Sequence, residues 1–301
     1  MSELPPESEL PSAEMEVSEP GKPPALRFAR FLYSQNPFYL LSVCFVLHGT
    51  GLQMNDAHQE HQALPLFLLI CCYILMMSLT AVTIIRKAKL WEDARSIVLL
   101  VPLLLVELSL TLDDPLITEP FMGRLLVIAA CLFSIGVFEL LLRGLKLQLP
   151  ILYRLPLHGM MALMILYPLA IIPAIHHEGL AVSVPWRNFL FGPLAGLMIL
   201  TLIPAIRRGA DYVKDNGTPW GWPLYPWSLF VFLIGALGAR GFSFTLSFDP
   251  VLDQSLAQAM TLESTWGWYH VAPIMLAVAA LLMEFAVVTK RTSVSVVSMC
   301  L

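Results

Sequence analysis

Along this chain the apolar residues come in long blocks, not at the two-residue or 3.6-residue spacing of half-buried strands and helices. A bilayer core of about 30 Å takes roughly 20 apolar residues in helical form. Blocks of that kind lie near 37–54, 63–85, 96–112, 121–142, 155–176, 186–206, 223–246 and 268–289. The pattern predicts an all-α, polytopic membrane helix bundle of about eight transmembrane helices, with the first and third the shortest.

The stretch before the first block is different in kind. Glu3, Glu7, Glu9, Glu14, Glu16 and Glu19 alternate with Pro5, Pro6, Pro11, Pro20, Pro23 and Pro24. Such a segment buries too little apolar surface to offset the entropy of ordering it. The expected organisation is therefore a disordered acidic, Pro-rich cytoplasmic tail over 1–35, a transmembrane helical domain over 36–290, and a short cytoplasmic C-terminal tail over 291–301. An acidic start is also the wrong sign for a signal peptide.

The basic residues test the span count separately. Arg86, Lys87, Lys89 and Arg95 follow the second block. Arg143, Lys146 and Arg154 follow the fourth, Arg207, Arg208 and Lys214 the sixth, and Lys290 and Arg291 the eighth. The alternate loops 55–62, 113–120 and 247–267 carry no Lys or Arg, and only Arg187 breaks the alternation. Under the positive-inside rule both termini and the basic loops are cytoplasmic, an N-in/C-in topology. Asp56, Glu60, Asp113, Asp114, Glu119, Glu178, Asp249, Asp253 and Glu263 are then expected on the outer face. The expected location is a bacterial inner (plasma) membrane.

Composition adds little beyond this. Of 301 residues 57% are hydrophobic and 13% charged, and mean hydropathy is +0.72. A soluble domain carries about 25% charged residues. The formal net charge is -4 and no basic run exists for nucleic acid. Four of the five cysteines, Cys44, Cys71, Cys72 and Cys131, fall in apolar blocks, so no disulfide framework is expected. The bilayer itself is the expected partner.

Candidate chemistry is sparse. Glu107, Glu139, Arg240 and Glu284 lie inside apolar blocks. Each costs roughly 2.5–3.5 kcal/mol at a helix centre on insertion scales, so each is expected to be paired or to face water. Glu107 and Arg240 fall at similar depth, which makes them an expected pair. These residues point to a transport-like protein with a proton or cation route. A second reading uses His48, His176, His177 and His270, which the topology brings to the outer face, as ligands for a metal or haem. A third is a non-catalytic accessory or structural subunit. No cofactor is assigned. Gly241-Phe-Ser243-Phe resembles part of the serine motif of rhomboid-like proteases but lacks its second glycine, so no catalytic residue is assigned.

Two packing features stand out. Gly192 and Gly196 form a GxxxG, suited to a seam within the bundle or to a homo-oligomer or membrane partner. Leu-Met-Ile-Leu followed by Ile-Pro-Ala-Ile occurs in both the fifth and sixth blocks; the reading taken is chance similarity between two Leu/Ile-rich segments, and the alternative is an inverted repeat with broken helices.

Overall fold

The computed structural model describes residues 63–88, 91–176, 184–209, 225–247 and 268–289, together with Gly49, Tyr212, Val213 and Trp222. Among them the elements are helical throughout. They are α1 (Ala63–Thr83), α2 (Trp91–Leu110), α3 (Asp113–Thr118), α4 (Pro120–Gly144), α5 (Ile151–Leu166), α6 (Pro168–His176), α7 (Val184–Leu200), α8 (Ile203–Arg207), α9 (Trp227–Ser247) and α10 (Trp268–Thr289). A π-helical turn, Ile84–Ala88, continues α1.

Among the described residues, seven helices are long and apolar enough to cross a membrane: Leu64–Lys87, Ser96–Thr118, Pro120–Gly144, Ile151–Pro173, Trp186–Arg207, Trp227–Phe244 and Val271–Thr289. They correspond to the second through eighth expected blocks. The first expected block, 37–54, and both tails lie outside the described residues.

The third block was expected to end at 112 and give way to an outer loop. Instead the chain turns once at Thr111 and Leu112 and continues as α3 to Thr118. Asp113 and Asp114 form the acidic first turn of that helix, where carboxylates favour the exposed amide ends. Asp113 is accordingly buried, at 2% exposure, and not an outer-loop acid.

The helix formed by α2 and α3 is the hub of the bundle. It packs against α1, α4, α5 and α9, and 89% of its most apolar stretch is buried inside the protein. The corresponding figure is 22% for α10, which packs mainly on α7. The outer helices keep their large apolar side chains exposed, among them Leu68, Leu69, Leu132, Leu197 and Leu276. An exposed apolar belt around a closed core is what lipid contact requires.

Three crossing helices are broken. α2 breaks before Asp113, α5 at Tyr167 and α7 at Thr201–Leu202. The last two breaks each follow a copy of Leu-Met-Ile-Leu, and Pro168 or Pro204 stands just beyond. Proline cannot donate to the carbonyl four residues back, so a helix interior is weakened there. Membrane helices tolerate this only where neighbours satisfy the freed backbone. At the first of these breaks the neighbour is α2, whose Ser109 hydroxyl donates to the Met164 carbonyl at 3.2 Å.

Gly196 packs against α10 of the same chain: a Cβ there would fall 2.8 Å from the Pro273 carbonyl oxygen. One half of the GxxxG therefore serves close approach within the bundle.

Candidate functional site: a buried ion pair and a basic rim

The deepest charges are Arg240 on α9 and Asp113 at the start of α3. Their guanidinium and carboxylate meet in a two-pronged pair, with Nη1 to Oδ2 at 2.7 Å and Nη2 to Oδ1 at 2.5 Å. Arg240 is 0% exposed and the Asp113 side chain 3%. At 1.5 Å per residue Arg240 lies about 20 Å along α9 from Trp227 and about 6 Å before Phe244, where the apolar span ends.

Other groups complete the cage. Arg240 Nη2 donates to the Ser109 carbonyl at 3.2 Å, and Nη1 to the Ser243 hydroxyl at 2.8 Å. The Ser243 hydroxyl in turn donates to the Arg240 carbonyl at 2.8 Å. The guanidinium carbon lies 4.2 Å from the centre of the Phe244 ring, a cation–π contact in a dry setting. Phe244 meets Phe191 edge to face and Tyr167 at a tilt, with ring centroids 4.9 and 5.5 Å away. Arg240 Nε has no partner among the described residues. The α2–α3 turn, the α5–α6 break and the C-terminal half of α9 thus converge here.

This arrangement corrects the expected pairing of Arg240 with Glu107. Glu107 is buried at 9% exposure on α2, but both prongs of the guanidinium are taken by Asp113. Glu107 lies nearly two helical turns before Asp113, and similar depth is not adjacency. Ser243 is likewise held as a hydrogen-bond partner of Arg240.

A second cluster lies at the opposite, basic end. Glu139 on α4 receives two hydrogen bonds from Arg154 on α5, one of them from Nε at 2.7 Å and the other from Nη2. Arg143 Nε is 3.6 Å away. His158 Nε2 is 3.3 Å from Glu139 Oε1, within ion-pair distance but not in hydrogen-bonding alignment. His158 Nδ1 lies 2.8 Å from the Arg154 carbonyl, which requires its proton on Nδ1. Nearby, Glu284 on α10 pairs with Arg207 at 2.5 Å. Arg86 Nε donates to the Gly144 carbonyl at 3.2 Å. Arg86, Arg154 and Arg207, read from sequence as topology signals, therefore also tie neighbouring helices together at one rim.

Arg187, the exception to the charge alternation, is fastened across a helix corner. It donates to the Ala170 carbonyl, while Tyr167 donates its hydroxyl to the Arg187 carbonyl.

The expected metal or haem ligands are not brought together by any described contact. His48 and His177 lie outside the described residues. His176 closes α6 and His270 lies in the first turn of α10, but their side chains are also outside them. Among the described residues no group of three or more His, Cys, Asp or Glu side chains is arranged to hold a metal ion. Sequence reasoning missed Asp113, Ser109 and Arg154 as partners. The one local signal for Asp113 was Pro115, a residue that the first turn of a helix tolerates.

No protein family, curated protein or solved structure matches the chain. The fold and the two charged clusters are therefore the ground for a functional reading.

Proposed function

We propose that this integral membrane protein is transport-like, with a proton or small-cation route that passes the Asp113–Arg240 pair. The observation that carries the reading is a fully enclosed ion pair set at the junction of two helix breaks. Charges inside membrane spans commonly mark ion pathways and proton relays, and broken helices commonly build transport sites near mid-membrane.

The same proposal keeps an eight-span, N-in/C-in topology in a bacterial inner membrane. Its support is that Arg86, Arg143, Arg154 and Arg207 gather at one rim of the bundle.

The test is flux in proteoliposomes holding a pH-sensitive dye, with rubidium uptake run in parallel under an imposed potential. Flux above protein-free vesicles, changed by Ser243→Ala, supports the reading. That substitution leaves both Asp113–Arg240 hydrogen bonds in place. Flux no greater than in empty vesicles contradicts transport and favours the reading as an accessory or structural subunit, for which the pair is only a fastening.

A further inference from the structure

At the basic rim, the turn from α4 into α5 forms a half-open cavity of about 230 Å³ bordered by Glu139, Arg143, Lys146, Gln148 and Arg154. Three basic residues and one carboxylate line it. Arg154 is committed to Glu139 by two hydrogen bonds; Arg143 is 3.6 Å from the same carboxylate but 80% exposed, and Lys146 has no ion-pair partner among the described residues.

The backbone of Lys146 is the informative detail. Leu147 N–H bonds the Leu142 carbonyl at 2.8 Å and Lys146 N–H the Arg143 carbonyl at 3.3 Å. That is a helix-ending motif whose penultimate position prefers glycine, because its φ is positive. Lys146 has φ 55°, while Gly209, just past α8, has φ 75°. A lysine stands where backbone geometry alone would select glycine. What it adds is an exposed basic side chain in the cavity's lining.

The surroundings name the source of the anion. Ile151 and Leu155, one turn apart at the start of α5, are 71% and 68% exposed. They do not line the cavity themselves but flank Arg154, which does, in the first turns of α5. A free anion has no use for such a pair, but an acyl chain does.

We propose that this cavity binds the phosphate of an anionic lipid, with Arg143 and Lys146 on the phosphate and an acyl chain along Ile151 and Leu155. Basic pockets between helices at the cytoplasmic side are suited to such headgroups. The inference needs only that the bundle lies in a bilayer, and it stands or falls independently of transport.

The experiment titrates purified full-length protein in neutral detergent with dioctanoyl phosphatidylglycerol, dioctanoyl phosphatidylcholine or inorganic phosphate. Phosphatidylglycerol binding should weaken about fivefold in Lys146→Gly, the loss expected for one basic group near an anionic surface. Lys146→Gly relieves the positive φ, so its melting temperature should not fall. Arg143→Gln should weaken binding to a similar degree, and Arg208→Gln, at the same rim but away from the cavity, should not. Unchanged affinity in Lys146→Gly overturns the proposal. So does equal weakening by Arg208→Gln, which signals diffuse surface charge, or inorganic phosphate competing as tightly as phosphatidylglycerol, which signals a small-anion site.

Discussion

The Ser109 hydroxyl donates to the Met164 carbonyl at 3.2 Å, across the contact between α2 and α5. Met164 is four residues before Pro168, the residue that cannot supply an amide proton to it. Both Ser109 and Met164 are almost wholly buried, at 1% and 0% exposure. The break in α5 is thus served by a side chain of the hub helix, and the Ser109 carbonyl simultaneously receives Arg240.

Ser109→Ala should leave a buried carbonyl without its donor. An unsatisfied buried group costs about 1–3 kcal/mol, so the thermal midpoint in detergent should fall clearly. Ser109→Thr, which keeps the hydroxyl, should recover part of the loss. A midpoint unchanged in Ser109→Ala would show that the Met164 carbonyl has another donor.

Gly196 offers a test of packing. Its missing side chain lets α7 approach the Pro273 carbonyl of α10. Gly196→Leu should force the two helices apart at a cost of about 1–3 kcal/mol, the range for overpacked cores. Detergent stability and cysteine crosslinking between α7 and α10 would both report the change. Unaltered stability and crosslinking would mean that the contact is not made.

Topology is tested with fusions. A reporter placed after Lys290 should read as cytoplasmic, and one inserted near Asp56 as external. The seven described crossings account for the alternation of basic residues from Arg86 to Arg207. Both reporters on the same side would contradict the eight-span arrangement.

How much of this was legible in the sequence depends on which coordinate is asked for. Apolar block length measures extent along the bilayer normal, and it located all seven described spans to within several residues. It says nothing about which helices are neighbours. Glu107 and Arg240 were therefore matched by depth, while Asp113 was assigned to water because acidic residues beside a short block look like a loop. The continuation through α3 depends on tertiary burial against α4 and α6, which no local pattern announces. Pro168 and Pro204 stand just beyond the breaks at Tyr167 and Thr201–Leu202, but Pro102, Pro156, Pro173, Pro193 and Pro273 lie inside continuous helices, so proline position alone does not locate a break. The approach of His158 on α5 to Glu139 on α4 arises from a helix pairing invisible in the chain's order.

The account rests most heavily on Asp113 and Arg240 acting as one buried unit, and a double-mutant cycle in detergent tests it directly. Asp113→Asn and Arg240→Gln should each lower stability by about 3–5 kcal/mol, because removing one partner leaves the other charge buried and uncompensated. The double variant should recover a substantial part of the summed loss, with a coupling larger than that of a Glu107→Gln/Arg240→Gln cycle. At the basic rim, Arg154 is 41% exposed, and Arg154→Gln should cost less than about 1 kcal/mol. Strictly additive losses for Asp113→Asn and Arg240→Gln, or a stronger coupling of Arg240 to Glu107, would contradict the account.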